Sequence, residues 1–385
     1  MHKPDTLGVP LSKRDFLKAA ACGACALCLA GVAGRTRTAS AQSAQRGLIK
    51  RKPSPWFSAA DEGAIVCELC PRRCRIAPGQ RGRCRVRENR DGRAYTLVYG
   101  NPCLVQLDPV ERKPFFHVLP GTRALSISTA GCNIACKFCE VWDMALVAPE
   151  EVHAYDMPPE EVVKQAKAAE ARSVSYAFGE PVVFHEYMAA TAALAKKEGL
   201  LNLLHTNGYI AREPLDALAE HLDAVNVDLK SFDPAFYRDV CDGELAPVLE
   251  TLKHLKEKRV HVEITHILIP TLNDDLAQLR KMCLWIRDEL GAEVPVHFAR
   301  FYPLYRLANL PPTPVTTIER ARELAFETGL RYVYVGRITG HEGENTFCPE
   351  CRKPVIERMG FVIEKMHLKD GTCSHCGAAI AGRWV

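Results

Sequence analysis

The sequence predicts an α/β fold, a partial, curved (β/α)6 TIM-like barrel with a small cysteine-rich module before it and a zinc-ribbon-like module after it. Three observations predict it. Short apolar strand candidates alternate six times with amphipathic helix candidates between residues 123 and 329, the pattern of a parallel sheet covered by its crossover helices. Six units fall short of the eight of a complete barrel, and a doubly wound open sheet is the alternative. Most of the 17 cysteines fall into short clusters, and two of these clusters flank the alternating region. Short C-x2-C repeats in a chain of 385 residues read as metal ligands more than as disulfides.

Taken in order, residues 1–44 form a leader. The basic pair Lys13–Arg14 precedes a mildly apolar run of 16 residues, Ala19 to Gly34, and Ala39-Ser40-Ala41 offers a small-residue cleavage site. The run is too short and too glycine-rich to span a membrane. The leader resembles a twin-arginine export signal with Lys in place of the first Arg, which implies export to the periplasm. The alternative is a leader that stays attached.

Residues 45–105 open as a polar, basic, proline-bearing linker. They continue as a four-cysteine module: Cys67, Cys70, Cys74 and Cys84 stand among Gly, Arg and Pro, with "YTLVYG" as the clear strand candidate. The spacing fits zinc or an auxiliary iron–sulfur cluster and does not choose between them.

The core is residues 106–340. Its strand candidates are "ALSISTA", "SVSYAFGEP", "LNLLHTNG", "DAVNVDLK", "VHVEITHILI" and "PVHFARFYP". The helix candidates between and after them begin with "PPEEVVKQAKAAEA", which has Pro and acidic residues in its first turn. The helix "FHEYMAATAALAKKEG" stops at Gly199. In residues 341–385, Cys348 and Cys351 are separated by 21 residues from Cys373 and Cys376. Two such knuckles resemble a zinc ribbon, with zinc preferred to rubredoxin-like iron.

Net charge is +4, but residues 1–41 hold six basic and two acidic side chains, so the remaining 44 of each sign cancel. No basic footprint for a nucleic-acid partner exists.

The chemistry lies in the loop after the first strand. Cys132, Cys136 and Cys139 stand at C-x3-C-x2-C spacing with no fourth cysteine nearby in sequence. Three thiolates on a four-iron cubane leave one iron without a protein ligand, and an open position lets a metal act on a substrate. Barrel enzymes place their chemistry on loops at this end of the strands.

This loop resembles the hallmark of the radical S-adenosylmethionine superfamily. The resemblance implies a 4Fe–4S cluster on these cysteines and S-adenosylmethionine chelated at the open iron. Reductive cleavage then gives a 5′-deoxyadenosyl radical that abstracts hydrogen from a substrate. It also implies a low-potential electron donor of the ferredoxin or flavodoxin type. Phe138 takes the aromatic position near the adenine, and Gly179-Glu180-Pro181 the motif that meets the methionine amino group. Thr206-Asn207 with Asp228 and Lys230 matches a "TNG…D-x-K" pattern of the glycyl-radical-enzyme activases, relatives of pyruvate formate-lyase activating enzyme. There the Lys lies near the S-adenosylmethionine carboxylate. His205 replaces an Asp common in that activase.

The strings "CELCPRRCRIAPGQRGRCRVRENRDG", "SYAFGEPVVFHEY", "LPPTPV", "YVYVG" and "GHEGENTFCPEC" resemble the AmmeMemoRadiSam-system radical enzymes, with Tyr302 where His is more usual. His297, on the sixth strand, is the catalytic candidate. The expected activity is oxidoreductase-like, on a protein or small-molecule substrate. The alternatives are a glycyl-radical-enzyme activase and a non-catalytic iron–sulfur carrier or scaffold. Because S-adenosylmethionine and low-potential reductants are cytoplasmic, an uncut leader anchoring the chain at the cytoplasmic face is the alternative to export.

Overall fold

The structure, a computed structural model, describes residues 43–384. The leader, with Cys22, Cys25 and Cys28, lies outside them apart from its last two residues. Among the described residues no helix is long and apolar enough to cross a membrane.

One eight-stranded sheet organises the chain. Its strands are β1 (Leu104–Pro109), β2 (Arg123–Ser128), β3 (Ser173–Tyr176), β4 (Leu201–Thr206), β5 (Ala224–Asp228), β6 (His261–Leu268), β7 (Val296–Arg300) and β8 (Val333–Gly336). They lie in sequential order, with β1 antiparallel to β2 and every other pair parallel. A doubly wound sheet needs a reversal of strand order at its switch point. This order has none, so the doubly wound alternative is excluded. The outer strands β1 and β8 extend the six predicted strands by one on each side.

Helices α1 (Pro159–Ala168), α2 (His185–Lys197), α3 (Arg212–Ala219), α4 (Leu245–Glu257), α5 (Leu276–Trp285) and α6 (Val315–Glu327) occupy the predicted connections. Each buries one apolar stripe. In α4 the buried set is Leu245, Val248, Thr251, Leu252, His254 and Leu255, the spacing of one helical face. Start signals are local: the Asp275 side chain accepts from Gln278 N at 2.9 Å and caps α5. The central strands are covered on both sides, and all four residues of β3 are buried.

The flanking segments share this core. Cys67, Leu69, Ile76 and Val86 belong to the same apolar cluster as Leu125, Tyr176 and Val225. In the tail the hairpin β9 (Pro354–Met359) and β10 (Val362–Met366) supplies the strand-rich insert expected between the knuckles. Val355, Ile356 and Ile380 pack with Phe116, Tyr332 and Tyr334 of the core. The Arg383 amide donates to His117 O at 2.7 Å, and Leu119 N donates to Arg383 O at 2.8 Å.

A buried polar network lies where the tail meets the sheet. The Glu263 carboxylate accepts from the backbone amides of Phe116 and His117 and from His297 Nε2 at 2.7 Å. His297 also stacks on Tyr334. The sequence candidate His297 therefore faces the tail contact; its partners are not residues of the three-cysteine loop.

His117 Nδ1 donates to Ala381 O at 2.5 Å, which leaves Nε2 to accept from the Tyr334 hydroxyl at 2.5 Å. Burial pushes the His117 pKa down to about 3 despite the nearby Glu263. An unfolded chain takes up this proton from about pH 6.5 downward, whereas the folded chain takes it only near pH 3. Stability at this site is therefore full above pH 6.5 and falls toward pH 3. His117→Gln is expected to flatten that part of a thermal-melt series, and an unchanged acid slope contradicts the assignment.

Candidate active site

Strand β2 ends at Ser128, and Cys132, Cys136 and Cys139 follow on the next loop, at the C-terminal edge of the parallel strands. Cys136 is buried and the other two are half-buried. The loop is held on two sides. Asn207, just after β4, donates Nδ2 to Asn133 Oδ1 at 2.9 Å and lies 3.9 Å from Cys132 Sγ. Asn133 in turn donates to Tyr209 O at 2.6 Å. From the other side, Ala135 N and Lys137 N donate to the carbonyls of Cys241 and Val240.

That second contact brings in Cys241, which stands alone in the sequence. Cys241, fully buried, lies against Cys136 and hydrogen-bonds it, and this bond holds the Cys136 pKa below the ordinary thiol value. Burial pushes the Cys139 thiol up to about 12, and burial together with Glu180 raises Cys132. Burial thus disfavours the bare thiolates of Cys132 and Cys139 and favours metal-bound ones.

The Gly179-Glu180-Pro181 turn follows β3. Phe178 before it adopts φ +73°, uncommon for a bulky residue. A Cβ on Gly179 would lie 2.7 Å from Ser128 Oγ, so the turn can close onto β2 only with glycine there. Glu180 is 3% exposed. Its Oε1 accepts from Thr206 Oγ1 at 2.6 Å and Val182 N at 3.0 Å, and its Oε2 from Asn207 N at 2.8 Å. Burial raises its pKa, while these three donors oppose the rise. A carboxylate offers about four acceptor sites, so one is left. Glu180 and Thr206-Asn207, motifs from two strand ends, form one hydrogen-bonded unit.

Asp228 ends β5. Its Oδ1 pairs with His205 Nε2 at 2.9 Å and its Oδ2 with Lys230 Nζ at 3.1 Å. Burial pushes the Asp228 carboxyl up, but Lys230 and His205 outweigh it and hold the pKa below the usual range. Burial likewise disfavours the Lys230 charge, and Asp228 more than restores it. The ammonium lies 5.6 Å from the Phe138 ring centroid, within cation–π reach. The backbone of Lys230 is pinned by Tyr237 OH and Asn273 Nδ2.

The structure therefore gathers the three loop cysteines, Phe138, Glu180, Thr206, Asn207, Asp228 and Lys230 at neighbouring strand ends. In the tail, Cys348 and Cys376 Sγ lie 3.6 Å apart and Cys351 and Cys373 3.8 Å apart, all four within 4.8 Å. Among the described residues this is the only His, Cys, Asp or Glu group of three or more so compact. Cys132, Cys136 and Cys139 are not gathered so tightly.

A family model described as the Radical SAM superfamily matches residues 126–283. The chain is 42% identical over 327 residues to the uncharacterized protein MJ0808 of Methanocaldococcus jannaschii, covering 84% of this chain and 97% of that one. It is 25% identical over 232 residues to pyruvate formate-lyase 1-activating enzyme of Escherichia coli, covering 56% and 93%. Among solved structures, that of Streptococcus suis SuiB bound to S-adenosylmethionine aligns at TM-score 0.44 and 14% identity, over 57% of this chain and 51% of that one. The matched segment runs from β2 into α5 and contains the three-cysteine loop together with Glu180, Asn207, Asp228 and Lys230, so the chain belongs to the radical S-adenosylmethionine superfamily.

Proposed function

We propose that the protein cleaves S-adenosylmethionine reductively and uses the resulting 5′-deoxyadenosyl radical to abstract hydrogen from a substrate. The observation that carries this reading is the placement of the three loop thiols beside a charged and aromatic set matched to a zwitterionic nucleoside. Cys132, Cys136 and Cys139 would hold a 4Fe–4S cluster, which when bound supplies the electron for breaking the sulfonium C–S bond.

The chain's own residues bind and orient. Lys230, neutralised on one side by Asp228, offers its ammonium to a carboxylate. The remaining acceptor site of Glu180 suits an ammonium. Phe138 gives a flat apolar face for adenine, fixed by its contact with Phe236 at 6.1 Å between ring centroids. Cys241 donates to Cys136 and sets that ligand's orientation. A ferredoxin- or flavodoxin-type donor would supply the electron.

Resemblance to the AmmeMemoRadiSam-system enzymes supports a substrate outside the glycyl-radical partners. The 25% identity to the Escherichia coli activase favours the second reading, activation of a glycyl-radical protein. In the tail, a tetrahedral zinc with Zn–S of about 2.3 Å sets sulfurs about 3.8 Å apart, which supports zinc there.

The test is anaerobic reduction of the reconstituted protein with S-adenosylmethionine. The enzyme reading expects 5′-deoxyadenosine and methionine in equal amounts, about one per chain or more. A protein that takes up iron and is reduced but releases no 5′-deoxyadenosine is a carrier, and the proposal fails.

A further inference from the structure

Cys67, Cys70, Cys74 and Cys84 play no part in the function proposed above. With Arg87 and Asn133 they line one partly open cavity. Cys67, Cys70 and Cys84 are buried and Cys74 is half-buried. Four thiols around a cavity suit either a single tetrahedral ion or an eight-atom cubane, and sulfur spacing distinguishes them.

A single zinc draws its sulfurs to about 3.8 Å of one another. The tail cysteines show that spacing, at 3.6 and 3.8 Å. The Cys67 set does not: among the described residues only the tail four gather their ligand atoms within 4.8 Å. In this the Cys67 set matches Cys132, Cys136 and Cys139. Its thiols surround a space instead of meeting at a point.

A second observation concerns Arg87, 2% exposed. Its terminal nitrogens donate to Glu186 at 2.6 Å, Ser54 Oγ at 3.1 Å and Val183 O at 3.0 Å. Its Nε has no partner. A buried guanidinium N–H without an acceptor is unfavourable. The sulfides of a cubane are acceptors.

The geometry points to a second 4Fe–4S cluster in this cavity, ligated at all four irons by Cys67, Cys70, Cys74 and Cys84. It lies beside the three-cysteine loop. Asn133, the neighbour of Cys132, borders the cavity, and a Cβ on Gly131 would lie 2.8 Å from the Cys84 carbonyl oxygen.

The test uses the full chain with Cys132→Ala, Cys136→Ala and Cys139→Ala, reconstituted anaerobically with iron and sulfide. The expected content is about four irons and four sulfides per chain, with an electron paramagnetic resonance spectrum that S-adenosylmethionine leaves unchanged. Adding Cys74→Ala and Cys84→Ala should remove that iron. A second zinc in place of iron, one iron without sulfide, or two irons with two sulfides each overturns the assignment.

Should the triple variant fail to fold by circular dichroism, the unsubstituted chain is compared with Cys74→Ala/Cys84→Ala. A fall from about eight irons to about four supports the cluster, and about four in both overturns it. Because the triple variant cannot cleave S-adenosylmethionine under the function proposed above, its iron content reports on this cavity independently of that function.

Discussion

Cys136→Ala is expected to abolish S-adenosylmethionine cleavage, with 5′-deoxyadenosine release falling by more than about 100-fold, since loss of a ligand costs more than loss of a supporting partner. The informative comparison is Cys241→Ala. Both thiols are buried and in contact, so burial and contact alone do not say which one binds metal. If Cys241 only supports Cys136, its removal should leave the loop's iron in place and lower the rate about tenfold. The spectroscopic change on adding S-adenosylmethionine should persist. If Cys241→Ala instead loses iron as Cys136→Ala does, and that change is absent from the unsubstituted protein, every iron is capped by the chain. The site then has no open position, and the functional reading falls.

Lys230→Met is expected to have the next largest effect. It removes the cation facing Phe138 and leaves Asp228 with His205 alone. Apparent affinity for S-adenosylmethionine should fall about 10- to 100-fold, the cost of one charge-assisted contact. Stability should fall as well. Breaking a fully buried pair costs about 3–5 kcal/mol. The Asp228 side chain is 23% exposed and that of Lys230 10%. Solvent screening therefore brings the expectation down to about 1–3 kcal/mol.

The pH dependence carries a sign. A carboxyl held below its ordinary pKa contributes stability above about pH 4, lost as pH falls through the folded value. Lys230→Met should shrink that acid-labile contribution. Isothermal binding and melts from pH 7 to pH 3 check both parts. Weakened binding with unchanged stability would mean that Lys230 acts on ligand alone.

What was legible in the sequence was local. Helices α1 to α6 and strands β2 to β7 announce themselves through apolar periodicity within a dozen residues. The C-x3-C-x2-C loop does so through spacing. Strand β1 does not, because Gln106 and Asp108 interrupt its apolar pattern and Pro109 ends it. Strand β8 is four residues long, and no long helix follows it within the core.

The rest was illegible because it depends on contacts distant in sequence. Cys241 reaches Cys136 across about a hundred residues, through a segment with no metal-like spacing of its own. Glu180 reads as a ligand-binding acid in its tripeptide. Two of its acceptor sites go to Thr206 and Asn207 at the end of β4, which only the folded sheet brings to it, and a third goes to Val182 in its own turn. His297, one histidine on one strand, gives no local sign that Glu263 and Tyr334 enclose it.

The backbone exchange between Arg383 and residues 117 and 119 has a consequence for biosynthesis. It joins positions more than 260 residues apart. While the ribosome still shields residues near 383, Phe116, Tyr332 and Tyr334 lack their covering partners. The nascent chain can therefore seal this region only after the segment around residue 383 has left the ribosome. Until then it presents an aromatic surface of the kind that holdase chaperones bind, so yield in cells should follow chaperone supply more closely than the stability of the finished molecule suggests.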